Sequence, residues 1–198
     1  MYVWGNNSGQ FLFPGYRSAP VQISTQSWSQ IVAGASHSLG ISNNLLYAWG
    51  YNNYGQLGTG NTTAVSSPVQ IGTSSWLSVA TTAVSPYALA IRSDGALFAW
   101  GYNASGQLGD GTTTNRSSPV QIGTSSWTQV ATGGSITIGI NNNGFIYSWG
   151  DSGATNSAAQ INGKYSSPIQ IGTSSWTQVS AGIGQSLAIR SEIGRAHV

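Results

Sequence analysis

The sequence predicts an all-β fold, a β-propeller of about four tandem blades, each of four antiparallel strands, in an open or incomplete ring. Three features carry that prediction. Trp-Gly recurs at Trp4-Gly5, Trp49-Gly50, Trp100-Gly101 and Trp149-Gly150, and a second series is formed by Trp28, Trp76, Trp127 and Trp176. Together the two series use all eight tryptophans, at a period of about fifty residues that belongs to propeller and solenoid repeats. The text itself repeats: Ser67 to Trp76 returns unchanged as Ser118 to Trp127, and Ser167 to Trp176 differs only at Ile169. Finally, short apolar runs separated by turn residues fill each period, and no window sustains a 3.6-residue periodicity.

Each strand follows from its residues. Leu45-Leu46-Tyr47-Ala48-Trp49, Gly95-Ala96-Leu97-Phe98-Ala99-Trp100 and Phe145-Ile146-Tyr147-Ser148-Trp149 put large side chains on one face and further apolar or small ones on the other. Such a strand must be covered on both sides, as a blade is by its two neighbours. Before these come Ser38-Leu39-Gly40-Ile41, Ala88-Leu89-Ala90-Ile91, Thr137-Ile138-Gly139-Ile140 and Ser186-Leu187-Ala188-Ile189. Their second face holds only Gly, Ala, Ser or Thr, which lets sheets approach closely. Ser42-Asn43-Asn44, Arg92-Ser93-Asp94-Gly95 and Asn141-Asn142-Asn143-Gly144 join the two strand types, and Asp-Gly or Asn-Gly between apolar runs signals a hairpin. The remaining two strands are Pro-Val-Gln-Ile, with its proline at the strand start, and the run after the second-series tryptophan, such as Trp127-Thr128-Gln129-Val130-Ala131.

The repeat divides residues 1–191 into units of about 1–50, 51–101, 102–150 and 151–191. Residues 192–198, Glu192 to Val198, break the pattern and read as a divergent tail or a truncation artefact, outside fold reasoning. Four units that start inside a blade suggest a fragment of a larger ring. In a ring closed within this chain, Tyr2–Gly5 completes the last blade.

Only 5 % of residues are charged, six basic against four acidic, so no basic surface exists to neutralise phosphates and nucleic-acid binding is disfavoured. There is no cysteine, hence no disulfide or thiolate metal site. No run approaches 18 apolar residues and no signal-peptide pattern opens the chain, so a membrane span is not expected. Localisation stays unassigned; a surface rich in Ser, Thr, Asn and Gln resembles that of extracellular and surface-associated proteins.

Tyr47-Ala48-Trp49-Gly50-Tyr51-Asn52-Asn53-Tyr54-Gly55-Gln56-Leu57-Gly58 resembles the Trp-Gly…Gly-Gln-Leu-Gly signature of the regulator of chromosome condensation repeat family, and Phe98 to Gly109 repeats it with Gly106-Gln107-Leu108-Gly109. Ala33-Gly34-Ala35-Ser36-His37-Ser38-Leu39 resembles the companion Gly-x-x-His-Ser motif. The resemblance spans residues 2–191 and implies a propeller, usually of seven blades. The signature slot reads Gly9-Gln10-Phe11-Leu12 in the first unit and Thr155-Asn156-Ser157-Ala158 in the fourth, and the histidine slot holds His37, Tyr87, Ile136 and Gln185. Resemblance to the founding member also implies guanine-nucleotide exchange on a small GTPase, for which ten charges offer little electrostatic steering.

Enzymatic sites find no constellation. His37 has no equivalent in the other units, Asp94, Asp110 and Asp151 are scattered, and no Gly-x-Ser-x-Gly elbow occurs. Gly58-Thr59-Gly60, Gly109-Asp110-Gly111 and Gly163-Lys164-Tyr165 are not phosphate loops. No catalytic, cofactor or metal residue is therefore assigned, and His37 reads as a hydrogen-bonded structural histidine. Asn6, Asn61, Asn103 and Asn115 lie in Asn-x-Ser/Thr sequons, as chance allows in such a composition. The tryptophans read as blade core. Binding, if present, belongs to the loops after Trp-Gly, residues 51–67, 102–118 and 151–167, which vary while the strands repeat. Their candidates are Tyr51, Tyr54, Tyr102, Arg116, Lys164 and Tyr165. The function expected is a non-enzymatic protein-interaction or surface-assembly module, with a protein partner and possible self-association through open blade edges. Nucleotide exchange, enzyme inhibition and carbohydrate binding are the alternatives.

Overall fold

A computed structural model of the chain describes residues 1–6, 16–22, 24–151, 163–183 and 185–190. Its regular elements are all strands: β1 (Tyr2–Asn6), β2 (Tyr16–Gln22), β3 (Gln30–Ala33), β4 (His37–Ser42), β5 (Leu45–Gly50), β6 (Val65–Gln70), β7 (Trp76–Thr81) and β8 (Tyr87–Arg92). They continue with β9 (Ala96–Gly101), β10 (Arg116–Gly133), β11 (Ile136–Asn141), β12 (Ile146–Asp151), β13 (Lys164–Gln170), β14 (Trp176–Gly182) and β15 (Gln185–Arg190). The fourth signature slot, the Gly9–Leu12 slot, most of the loop 151–167 and the tail 192–198 lie outside the described residues.

Every pairing is antiparallel between consecutive strands. β3-β4-β5-β6 forms one four-stranded blade. β7 to β13 form a seven-stranded sheet that is two blades sharing β10. The first part of β10 pairs with β9 (Arg116↔Gly101, Gln121↔Phe98), and its last part pairs with β11 (Trp127↔Asn141, Gly133↔Ile136). β1-β2 and β14-β15 are two-stranded sheets.

The middle strands explain the doubly apolar sequence pattern. β11 is buried at all six positions and β8 at its first five. Leu39, Ile41, Leu46 and Ala48 of one blade share a cluster with Trp76 and Val79 of the next. Leu89, Ile91 and Leu97 pack likewise with Trp127, and Ile138 and Ile140 with Trp176 and Val179. The rule is constant: the Leu or Ile face of one blade receives the Trp-x-x-Val edge of the following one. Its small-residue face is needed for contact, because a Cβ on Gly40 would lie 2.6 Å from Trp28 and one on Gly139 would lie 2.7 Å from Trp127.

The prolines sit differently from expectation. Pro20, Pro68, Pro119 and Pro168 lie inside β2, β6, β10 and β13, not at their starts. Each of these segments is the outermost strand of its blade, and its pairing slips beside the proline (Gly50↔Val65 but Ala48↔Val69). The missing N–H therefore faces outward on an edge, where it costs no ladder bond.

Truncating Leu89 to Ala removes a fully buried side chain from between two blades. Unfolding in guanidinium chloride is expected to show a loss of about 2–5 kcal/mol, as for other core leucines.

Candidate functional site

The repeated Gly-Gln-Leu-Gly signature is a latch between blades. After β5 the chain turns through Gly55-Gln56-Leu57-Gly58, and the Gln56 carbonyl accepts the Trp100 indole N–H of the next blade at 2.9 Å. One blade on, the Gln107 carbonyl accepts the Trp149 indole at 3.0 Å and the Thr137 hydroxyl at 2.8 Å. Leu57 and Leu108 are fully buried beneath the latch. Gly58 and Gly109 have φ of +74° and +81°, and a Cβ there would sit 2.9 and 2.6 Å from those same indole nitrogens. Glycine is required both for the backbone conformation and for the indole contact.

The loop that carries the latch is wired by an asparagine, to which the sequence alone assigns no role. Asn52 accepts from Leu57 N–H at 2.9 Å and donates to the carbonyls of Asn61 and Thr63, both at 3.0 Å. Asn103 does the same with Leu108 N–H and the carbonyls of Thr112 and Thr114. Both are fully buried, so Asn103 serves as a loop organiser, not as an exposed glycosylation acceptor. The signal was present in the text, since Trp-Gly-Tyr-Asn occurs twice.

The histidine slot opens the second strand of each blade, and two of its occupants bridge blades. His37, fully buried in β4, places Nε2 3.0 Å from Thr81 Oγ1 in the next blade. Thr81 donates its single proton to the Tyr87 carbonyl at 2.7 Å, so Nε2 carries the imidazole proton and Nδ1 is left bare, with no partner. Burial pushes His37 down to about 4, because protonation would strand a second N–H in the interior. Tyr87, in the same slot, donates to the Ile136 carbonyl at 2.8 Å, and burial raises its phenol.

The candidate loop residues divide into two groups. Arg116, Lys164 and Tyr165 lie at strand starts, not in loops. Arg116 pairs with the nearly buried Asp110 at 2.6 Å. Burial would raise Asp110, but hydrogen bonds from Thr112 and Arg116 outweigh it and hold the carboxyl below its usual value. Lys164 lies 3.3 Å from Asp151. Tyr54 and Tyr102, from successive loops, meet edge to face at 5.0 Å, with Tyr54 43 % exposed; Tyr51 is half-buried on the first of those loops. Behind the first loop opens a cleft of about 440 Å³ lined by Thr59, Asn61, Thr63, Val69 and Gln70, adjoining another of about 330 Å³ lined by Trp76, Arg92, Phe98 and Ser118. The first-series tryptophans Trp49, Trp100 and Trp149 are core, and Trp28, Trp76 and Trp127 stack edge to face on Tyr47, Phe98 and Tyr147. Trp176 packs against the third blade, and the backbones of Trp4 and Gly5 lie in β1. Gly5, Gly50, Gly101 and Gly150 are matched in register, pairing with the first or second residue of the outer strand.

Residues 43–84 and 94–140 match the family described as Regulator of chromosome condensation (RCC1) repeat, and residues 28–56 match a second profile of the same repeat. The ultraviolet-B receptor UVR8 of Arabidopsis thaliana is 37 % identical over 93 residues, 46 % of this chain and 21 % of that protein. Human Protein RCC2 is 39 % identical over 124 residues, 59 % of this chain and 23 % of that protein. The chain thus spans less than a quarter of the length of these relatives. Among solved structures, Prp20p of Saccharomyces cerevisiae, described with its binding to Gsp1p and histones, superimposes with a TM-score of 0.79 at 19 % identity over 97 % of this chain and 52 % of that one. Human WBSCR16 gives 0.67 at 19 % identity over 96 % and 67 %. At these identities the likeness establishes the propeller fold.

Two measurements check this site. A Gly109→Ala variant forces a Cβ onto the Trp149 indole at a positive φ and is expected to lower the melting temperature, by more than the ~1 kcal/mol that strain alone costs. For His37 the folded value lies below the unfolded 6.5, so the unfolded chain binds the proton first. Stability is expected to be intact above pH 6.5 and to fall between pH 6.5 and 4, by on the order of 3 kcal/mol in full. Denaturant titrations of the native protein and of His37→Gln at several pH values test this: the native protein should lose stability over that window more steeply than the variant does.

Proposed function

The chain belongs to the regulator of chromosome condensation repeat family, and from that premise we propose that it is a non-enzymatic protein-interaction module whose binding rim is built from the loops after each Trp-Gly. The observation that carries this reading is the Tyr54–Tyr102 pair, held on loops that Asn52 and Asn103 keep rigid. Tyrosine ordered in advance buries area at low entropic cost and is a common anchor of interfaces. The adjoining clefts offer room for partner side chains, and Thr59, Asn61 and Thr63 of the first variable loop form one wall of the larger. His37, sealed in the interior and hydrogen-bonded to a threonine, suits a structural part and not a catalytic one.

A second reading is nucleotide exchange on a small GTPase, favoured by the likeness to Prp20p, which is described with its binding to Gsp1p. The scarcity of charge weighs against it, since six basic and four acidic residues give weak steering.

Proteins captured from cells by cross-linking are compared between the native chain and Tyr54→Ala with Tyr102→Ala. Loss of two interface tyrosines is expected to weaken capture at least tenfold, from about 1.4 kcal/mol or more of lost contact. Equal capture by both chains would remove the rim from consideration. Release of fluorescent GDP from a small GTPase, unchanged by added chain, would eliminate the exchange reading.

A further inference from the structure

One groove runs from the outer strand of the first blade to the second blade. The clefts of about 440 and 330 Å³ share Gly58, Thr59, Ile71 and Gly72 in their walls, so they are two ends of a single depression. Val65 and Val69 of β6 stand at one end, and Phe98 and Pro119 of the second blade at the other. The next repeat shows what is particular to this groove. Residues 50–72 correspond one for one to 101–123, with Gly58, Ile71 and Gly72 matched by Gly109, Ile122 and Gly123. Thr59 and Val65 are there replaced by Asp110 and Arg116, which form an ion pair at 2.6 Å. The first groove thus keeps small neutral side chains where its repeat carries a salt bridge.

We propose that this groove binds a neutral oligosaccharide. The inference is separate from the tyrosine rim and does not rest on it. The walls match the two kinds of surface a sugar presents. Val65, Val69, Phe98 and Pro119 offer apolar strips for the C–H faces of the rings, and Thr59, Thr63, Ser74 and Ser118 offer hydroxyls among them. Both volumes fall in the range of small-ligand sites, roughly 300–1,000 Å³.

Arg92 supplies a directional contact. Its guanidinium lies 4.9 Å from the centre of the Phe98 ring, and it gives Nε and Nη2 to Asp94, the shortest bond being 2.7 Å. Nη1 has no partner among the described residues. A spare donor and a carboxylate acceptor are therefore held side by side. That pairing suits two neighbouring hydroxyls of one sugar ring, one accepting and the other donating. The first and third blades have Ser42 and Asn141 in place of Arg92, so they lack this arrangement.

Charge and backbone chemistry select the ligand. Asp94 cancels Arg92, and no other charged residue lines either cleft among the described residues, so a phosphate, sulfate or carboxylate finds no net attraction. A wholly apolar ligand would take the wall hydroxyls out of water without replacing their hydrogen bonds. A peptide laid along β6 would need backbone partners, and Pro68, inside that edge strand, has no N–H to give.

The fluorescently labelled chain is applied to an array of glucose, galactose, mannose and N-acetylglucosamine oligosaccharides, beside sulfated and sialylated ones. The strongest neutral ligand is then titrated by calorimetry. Binding to neutral oligosaccharides is expected; binding to none, or to the anionic ones alone, would overturn the proposal. The groove itself is tested by borrowing from the other repeats. Thr59→Asp with Val65→Arg writes into the first loop the pair that the second loop already folds around. This variant should melt like the native chain and bind the sugar about tenfold more weakly or worse. Arg92→Ser, which copies the first blade, should lose as much. Unchanged affinity in both would place the sugar elsewhere and sink the assignment. Tyr54→Ala with Tyr102→Ala should leave the sugar affinity as it is, and a loss there would move the site to the rim, against the proposal.

Discussion

The whole arrangement depends on how closely one sheet can lie on the next. In a blade stack the contact is made by an indole of one blade under a loop of its neighbour, and by a Trp-x-x-Val edge against a Leu or Ile face. Each fully buried tryptophan removes on the order of 200 Å² from water, about 5 kcal/mol of transfer free energy. Two of the buried indoles also find backbone acceptors across the junction, Trp100 at the Gln56 carbonyl and Trp149 at the Gln107 carbonyl. Glycine at Gly58 and Gly109 and small residues along the second strands are consequences of the same close approach.

Because each blade touches only its neighbours, the stack behaves as a one-dimensional array in which junctions differ in strength. The histidine slot illustrates the freedom this gives. His37 reaches a threonine, Tyr87 reaches a backbone carbonyl, and Ile136 fills space with no polar tip. Three unlike side chains serve one geometric position because each junction needs above all a filled interior.

Much of this was legible in the text. Period, strand identity and the covered middle strands follow from the tryptophan spacing and from runs such as Leu89-Ala90-Ile91, since burial on both faces leaves a direct mark on composition. The Asp-Gly hairpin is equally local: Gly95 has φ +86° and donates to the Arg92 carbonyl. Side-chain partners were not legible, whether forty-four residues apart or only six. Nothing near His37 names Thr81, and nothing near Arg116 shows that Asp110 neutralises it beneath the loop. Arg116 and Lys164 fall in segments that vary between repeats, and such variation marks a segment as unconstrained by the repeat, not as unpaired. The prolines misled for a related reason: strand boundaries on an outer edge are set by a slipped pairing with the neighbour, which leaves no trace in local propensity.

The segments that join successive blades are copies of one another: 71–75, 122–126 and 171–175 all read Ile-Gly-Thr-Ser-Ser, and Gly72, Gly123 and Gly172 take φ of +61°, +60° and +65°. In each, the glutamine two residues before the glycine donates its side-chain amide to the glycine carbonyl. The step from blade to blade is thus written into five residues, and adding or removing a blade needs only one more or one fewer copy of the same joint.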